Sequence, residues 1–88
     1  MDSTAELIIN VRALDYHSVE LETNQGNCYR CDLSRFQSVY CYPKKEQWNK
    51  VSIDSYGLDL VWPSRFEVHI DQALAEAKIL TNAYSQNH

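Results

Sequence analysis

The stretch HSVELETNQGNCYRCDL, residues 17–33, decides the fold of this chain. Apolar and polar residues alternate up to Thr23, and they alternate again after Asn24-Gln25-Gly26, whose residue types readily adopt the positive φ angles of a tight turn. A period of two is typical of a strand with one buried face. The stretch therefore predicts an antiparallel hairpin, and its inner face holds Val19, Leu21, Tyr29, Cys31 and Leu33.

The segments on either side extend this hairpin into a sheet. In residues 6–14 the odd positions are all apolar, which predicts a third strand and so a three-stranded meander. Residues 51–62 alternate on both sides of Tyr56-Gly57, which predicts a second hairpin that ends where Pro63 has no N–H for the ladder. We therefore expect an α+β domain with a mainly antiparallel sheet of about five strands.

Helical patterns precede and follow the second hairpin. Two short helices are expected within residues 34–50, and Pro43 suits the first turn of the second one. Farther on, apolar residues recur at three- and four-residue steps among Ala, Glu, Lys and Leu, which predicts a helix from Ile70 to Tyr84. The chain of 88 residues is then one domain, with residues 75–88 as a helical extension.

The composition excludes several classes of protein. Hydrophobic residues make up 44% of the chain, with two Gly and two Pro, which is typical of a folded domain. Twelve acidic against eight basic residues, a net charge of −4, argue against binding duplex DNA over the whole surface. The longest strictly apolar run, Leu7-Ile8-Ile9, is too short to span a membrane, and the N-terminus lacks the features of a signal peptide. We therefore expect a cytoplasmic protein without membrane contact.

Several short motifs occur in the order found in a known family. Between Val11 and Leu74 lie a hairpin with a polar-Gly turn, Cys31-Asp32-Leu33-Ser34, Pro43 before a helix, and Leu60-Val61-Trp62-Pro63. This arrangement resembles domain-of-unknown-function family 2442, a family of small bacterial proteins. The resemblance implies a compact α+β domain with no established activity, and some genes of the family lie beside a small partner gene in arrangements that look like toxin–antitoxin pairs.

Two departures from the family pattern matter. Relatives usually have Asn-Gly or Gly-Gly after Trp-Pro, whereas Ser64-Arg65-Phe66 stands here, and the sequence leaves open whether these residues form a binding loop. Relatives often stop soon after the position of Leu74, whereas this chain continues for 14 residues. Because no helix-turn-helix follows, the resemblance does not extend a DNA-reading role to this chain.

Cys28-Tyr29-Arg30-Cys31 has the C-x-x-C spacing of zinc half-sites and redox pairs. Both kinds of site need the two sulfurs on one side, whereas strand positions three apart point to opposite faces. No second ligand pair follows, and His17, His69 and His88 are scattered along the chain. We therefore expect no metal, no cofactor and no redox pair, with Cys31 in the core and Cys28 at the surface.

No set of residues has a recognisable catalytic arrangement. The histidines have no Ser or Cys neighbour in a nucleophile turn. Asp54 and Asp59 fall on the outward sets of their strands, where carboxylates solvate a sheet edge and do not share a cleft. A chain this short seldom encloses a substrate cavity and keeps its core. We expect no enzymatic activity and no small-molecule substrate.

The middle of the chain concentrates positive charge. Residues 34–50 have a net charge of +3, from Arg35, Lys44, Lys45 and Lys50 against Glu46, whereas residues 1–33 sum to −4 and residues 51–88 to −3. Interleaved aromatic residues, Phe36, Tyr40, Tyr42 and Trp48, would allow bases to stack beside these cations. The favoured alternative places Phe36 and Trp48 in the core and leaves a solvated basic face. A single-stranded nucleic-acid accessory protein that uses this segment is therefore the second hypothesis for function.

The first hypothesis is a non-enzymatic protein–protein interaction module, an antitoxin-like or regulatory subunit. On the predicted helix from Ile70 to Tyr84, Ile79 lies away from the stripe that the sheet would bury, between Ala75 and Ala83. Exposed apolar surface of this kind is typical of contact with a partner protein or with a second copy of the chain. The alternative is a single tolerated surface Ile.

Overall fold

The computed structural model describes residues 5–81, with side chains up to Ala77. In these residues the chain forms seven strands, one α-helix and two 3₁₀ helices. The strands are β1 (Ile8–Ala13), β2 (Ser18–Thr23), β3 (Cys28–Asp32), β4 (Ser52–Ile53), β5 (Asp59–Val61), β6 (Glu67–His69) and β7 (Ala77–Thr81). The helices are α1 (Ile70–Ala75) and the 3₁₀ helices Ser34–Phe36 and Lys45–Lys50.

The first sheet has the strand order β1-β2-β3-β7, and every neighbouring pair is antiparallel. Val11 lies opposite Leu21, and Leu21 lies opposite Tyr29, so apolar side chains line one face as the alternation predicts. The other face carries charged and polar residues, including an ion pair between Arg12 and Glu20. The predicted three-stranded meander is thereby confirmed.

The second sheet has the order β4-β5-β6 and is also antiparallel. Gly57, between β4 and β5, joins the two sheets because its carbonyl accepts a hydrogen bond of 2.8 Å from the N–H of Ile8. Its φ of 74° suits glycine, and a Cβ there would lie 3.0 Å from the carbonyl oxygen of Ile8. The predicted second hairpin is the pair β4 and β5.

A single cluster of buried residues links both sheets to the segment between them. Trp48 and Trp62 stack at its centre, with ring centroids 4.7 Å apart. The indole N–H of Trp62 donates to the carbonyl of Trp48, and that of Trp48 donates to the carbonyl of Ser18, each at 2.9 Å. Both polar edges are therefore satisfied inside the core. The cluster comprises Ile8, Val19, Leu21, Tyr29, Cys31, Leu33, Trp48, Leu60, Trp62, Phe66, Val68, Ile70 and Ala73.

The fold is α+β with antiparallel sheets, as predicted, but the strands divide into two sheets of four and three. A single sheet of about five strands was expected because β6 and β7 were not recognised. β6 has only three residues and one buried apolar side chain, Val68, so its sequence shows no periodicity. The two helices expected between residues 34 and 50 are present in 3₁₀ form.

The helix predicted from Ile70 to Tyr84 is wrong over residues 76–81, and residues 82–84 lie outside the described part of the chain. A capping box at His69 and Gln72 starts α1, which ends after six residues, and the chain then enters β7 beside β3. The apolar positions that suggested one long helix belong in part to α1 and in part to β7. Pairing with the backbone of β3 outweighs the high helix propensities of Ala, Lys and Leu, which amount to only fractions of a kcal/mol per residue. The predicted helical extension is thus a strand over Ala77–Thr81, and its remainder lies outside the described residues.

Candidate interaction surface

Residues 37–42, here named the tyrosine loop, connect the two 3₁₀ helices through successive tight turns. The N–H of Gln37 donates to the carbonyl of Ser34 at 3.1 Å, and the N–H of Val39 donates to that of Phe36 at 2.9 Å. The N–H of Tyr42 then donates to the carbonyl of Val39 at 3.0 Å. Hydrogen bonds between near neighbours therefore define the backbone of the loop.

The tyrosine loop is flanked by two residues that pack against Phe66, a core residue: Phe36 directly before the loop and Tyr42 at its end. On one side the half-buried ring of Phe36 lies 6.4 Å from that of Phe66. On the other side the half-buried ring of Tyr42 meets Phe66 edge-on, with centroids 5.0 Å apart, and its hydroxyl lies 2.7 Å from Nδ1 of His17. Burial, followed by the nearby Tyr16 and Asp32, raises the pKa of Tyr42, so its hydroxyl stays protonated beside the imidazole.

The apex of the loop carries two exposed apolar side chains. Val39 is 42% exposed, and the side chain of Tyr40 is fully exposed, at 103%. Because the flanks are anchored, these side chains are held in solvent by a defined backbone. Tyrosine is enriched among the residues that contribute most of the binding energy at protein interfaces.

The turn between β5 and β6, here named the Trp-Pro turn (residues 62–66), lies beside the tyrosine loop. The N–H of Trp62 donates to the carbonyl of Phe66 at 2.9 Å, and the three residues between them form the turn. The hydroxyl of Ser64 donates to the carbonyl of Cys41 at 2.6 Å, and Sγ of Cys41 lies 3.7 Å from the carbonyl oxygen of Arg65. Sequence reasoning left open a binding role for Ser64-Arg65-Phe66 and did not place it beside Tyr40.

The predicted basic residues of the middle segment do not behave alike. Arg35 forms an ion pair of 2.6 Å with Glu76, and its guanidinium lies 5.4 Å from the centre of the Phe36 ring. Lys44, Lys45 and Lys50 are exposed and take part in no ion pair within residues 5–81. Arg35 is therefore neutralised locally, whereas the three lysines keep their charge available.

The aromatic residues of the same segment are mostly internal. Trp48 is 2% exposed, and Phe36 and Tyr42 pack against the core cluster. The expectation of a core residue is confirmed for Trp48, whereas Phe36 is half-buried and packs against the core cluster. Tyr40 alone, of the four interleaved aromatic residues, presents its ring to solvent.

The other predicted contact residues are not on one helical face. Ala75 is exposed at the end of α1, whereas Ile79 lies on β7, opposite Tyr29 of β3. Ala83 lies outside the described residues. A strand has no helical stripe, so the geometric reason for grouping these three residues is wrong, and their contact with a partner stays a prediction.

The two cysteines of the C-x-x-C segment point to opposite faces of β3, as expected. Cys31 is buried, and burial, assisted by Glu76, raises its pKa to about 12. A thiol of this kind stays protonated near neutral pH and is a poor nucleophile and a poor metal ligand. Cys28 is half-buried on the polar face opposite Glu22. No group of three or more His, Cys, Asp or Glu residues in the described part of the chain could hold a metal ion.

The carboxylate pair Asp54 and Asp59 forms part of a turn. One oxygen of Asp54 accepts hydrogen bonds of 2.8 Å from the N–H of Leu58 and 2.9 Å from that of Asp59. These backbone hydrogen bonds, with Asp59 first, lower the pKa of Asp54. The carboxylate thus orders the turn between β4 and β5.

No protein-family model, curated protein or solved structure matches this chain. The resemblance to domain-of-unknown-function family 2442 therefore stays a prediction. Among the described residues, no helix has the length and apolar character needed to cross a membrane.

Proposed function

We propose that this chain is a non-enzymatic protein-binding module that contacts its partner through the tyrosine loop. The observation that carries the proposal is the full exposure of Tyr40, next to exposed Val39, on a backbone held at both ends. A fixed backbone reduces the entropy lost on binding, and a tyrosine ring buries a large area with few rotatable bonds. Residues of this type commonly contribute about 2 kcal/mol or more at protein interfaces.

The state of the polar groups supports a binding role over a catalytic one. His17 bonds to Tyr42 and stacks on Tyr16, with ring centroids 3.8 Å apart, so it contributes to packing. Asp54 orders a turn. With its partner contact at one surface loop, the chain fits the role of an antitoxin-like or regulatory subunit in a reducing cytosol, where Cys28, Cys31 and Cys41 stay free.

A protein partner agrees better with the surface than a single-stranded nucleic acid does. Nucleic-acid strands bind along series of exposed aromatic residues on which successive bases stack. In the middle segment only Tyr40 offers such a ring. The residues outside this segment sum to −7, which repels phosphate.

Affinity capture with matched variants tests the proposal. Tyr40→Ser removes the exposed ring of the loop, and Tyr56→Ser removes another exposed tyrosine, 74% accessible, from the turn between β4 and β5. We expect the wild type and Tyr56→Ser to capture one host protein that Tyr40→Ser does not capture. Between the purified proteins, we expect Tyr40→Ser to bind this partner more weakly than the wild type and Tyr56→Ser do. Urea unfolding establishes that all three baits are folded.

Several outcomes would overturn the proposal. Equal capture by the two tyrosine variants would show that the tyrosine loop is not the contact. Capture that disappears on nuclease treatment would favour the nucleic-acid role. Sedimentation of the purified chain tests a second copy as the partner, because a dimer that persists in Tyr40→Ser would place the self-contact elsewhere.

A further inference from the structure

Two residues other than glycine have a positive φ within residues 5–81: His17 at 84° and Arg65 at 73°. This conformation is unfavourable for a residue with a Cβ and persists where the surroundings or the function require the side chain. For His17 the requirement is internal, since its ring stacks on Tyr16 and hydrogen-bonds Tyr42.

Within the part of the chain that the structure describes, Arg65 has no such internal requirement. Its side chain is exposed, and its guanidinium makes no hydrogen bond or ion pair with any other described residue. Glu67, two residues farther along, is exposed and also makes no ion pair with it. Glycine would adopt this turn without strain, so an arginine here adds a guanidinium that has no hydrogen-bond or ion-pair partner among the described residues.

Arg65 is also fixed relative to the tyrosine loop. Its carbonyl oxygen lies 3.7 Å from Sγ of Cys41, the residue that follows Tyr40, and the neighbouring Ser64 hydroxyl bonds the carbonyl of Cys41. The exposed cation and the exposed ring therefore belong to two turns that are hydrogen-bonded to each other. Lys44 and Lys45, which follow the loop, add positive charge to this end of the segment.

We propose that Arg65 is a specificity-determining residue of this surface and binds a carboxylate of an acidic protein partner beside the contact made by Tyr40. The inference rests on the proposed function. A guanidinium matches a carboxylate through two parallel N–H···O bonds, which fixes orientation as well as charge. Phosphate would fit the same fork, but a single exposed ring offers no series on which successive bases could stack, which favours a protein partner.

The first experiment adds a polyglutamate peptide to the full chain as a probe and follows binding by NMR. We expect the peptide at low salt to shift the Arg65 side-chain Nε–H signal and the backbone signals of the tyrosine loop, while a polyglutamine peptide does not. Arg65→Gln weakens polyglutamate binding about fivefold, as for an exposed charge pair, whereas Arg30→Gln, which removes an exposed arginine of β3, leaves it unchanged.

Equal weakening by Arg65→Gln and Arg30→Gln would overturn the inference, because the binding would then follow net charge alone. An oligothymidylate that binds more tightly than polyglutamate through Arg65 would also overturn it, in favour of phosphate. A structural role is tested by Arg65→Gly, which we expect to melt at or above the temperature of the wild type. A lower melting temperature would show that the Arg65 side chain stabilises the fold.

The captured partner separates this inference from the proposed function. If Tyr40→Ser loses the partner and Arg65→Gln keeps it at unchanged affinity, the carboxylate contact is wrong and the tyrosine loop remains the binding site. If Tyr40→Ser keeps the partner, the proposed function itself is wrong, whatever Arg65→Gln does.

Discussion

Two three-residue turns of this molecule are closed by the same kind of backbone hydrogen bond, and they differ in where the side chain of their third residue lies. In the turn of Asp15, Tyr16 and His17, the N–H of Leu14 donates to the carbonyl of Ser18 at 2.9 Å. In the Trp-Pro turn, the N–H of Trp62 donates to the carbonyl of Phe66, also at 2.9 Å. Each turn ends in a left-handed residue, His17 in the first and Arg65 in the second.

In the first turn, side-chain contacts offset the backbone strain of the left-handed residue, and in the second turn they do not. A left-handed residue with a Cβ costs roughly 1–2 kcal/mol. The ring of His17 offsets this cost through its contacts with Tyr16 and Tyr42. The exposed side chain of Arg65 makes no comparable contact with the described residues. The first turn therefore stabilises the folded chain, whereas the second gains no such stabilisation from its exposed side chain within the described residues.

The largest expected effect follows from truncating the internal side chain. His17→Ala keeps the backbone strain and removes both a stacked ring and a hydrogen bond, so we expect a loss of about 2 kcal/mol in the free energy of unfolding. Arg65→Ala, its counterpart in the other turn, changes the same quantity by less than about 0.5 kcal/mol. Urea denaturation of both variants measures the difference, and equal effects would show that the two turns are energetically alike.

A smaller effect is expected when only the hydrogen bond is removed. Tyr42→Phe keeps the ring against Phe66 and deletes the hydroxyl that lies 2.7 Å from Nδ1 of His17, which costs about 1 kcal/mol. Because the two residues share this bond, the effects of His17→Ala and Tyr42→Phe are not additive in a double-mutant cycle. Additive effects would place the stabilising role of His17 in its stack on Tyr16 alone.

The two turns also mark the limit of what sequence reasoning reaches. The alternation of apolar and polar residues predicted that Val19 and Leu21 are buried and that the first three strands form a meander. A strand with one buried face alternates apolar and polar residues, so this pattern is visible in its sequence. The positive φ of His17 and Arg65 has no such signature, since both are ordinary residues in a turn. The contact between Cys41 and the Trp-Pro turn joins residues 23 and 24 positions apart through single hydrogen bonds, which produce no periodic pattern.

Strand β7 is another feature that local sequence patterns did not predict. The steps from Ile70 through Ala77 suit a helix locally, yet the chain leaves the helix at Glu76 to pair with β3. Whether a strand edge is available for pairing depends on where the rest of the chain has placed that strand. Information of this kind is tertiary, and it outweighs propensities that differ by only fractions of a kcal/mol per residue.

Substitution by glycine reverses the sign of the effect between the two turns. Arg65→Gly removes backbone strain and no described contact, so we expect a gain of about 0.5 kcal/mol after the greater flexibility of the unfolded glycine is included. His17→Gly relieves the same strain but loses the contacts with Tyr16 and Tyr42, and it remains less stable than the wild type. Thermal unfolding of the two variants measures both effects. Destabilisation by Arg65→Gly would show that the Arg65 side chain stabilises its turn.

The smallest expected effect is in acid, and it belongs to the His17 side of the molecule. Hydrogen bonds from Ser34, the backbone N–H first, lower the pKa of Asp32 below its usual 3.8, and the positive charge of His17 lowers it further. A pKa that is lowered in the folded state means that the carboxylate stabilises the fold above the unfolded value, and this stability is lost as the pH falls through the folded pKa. Asp32→Asn should therefore reduce the loss of stability below pH 3.8, whereas Arg65→Gly leaves that pH dependence unchanged. Urea midpoints at neutral and acid pH measure the pH dependence of stability of both variants. If Asp32→Asn and the wild type lose stability identically in acid, the Asp32 carboxylate does not contribute to this pH dependence.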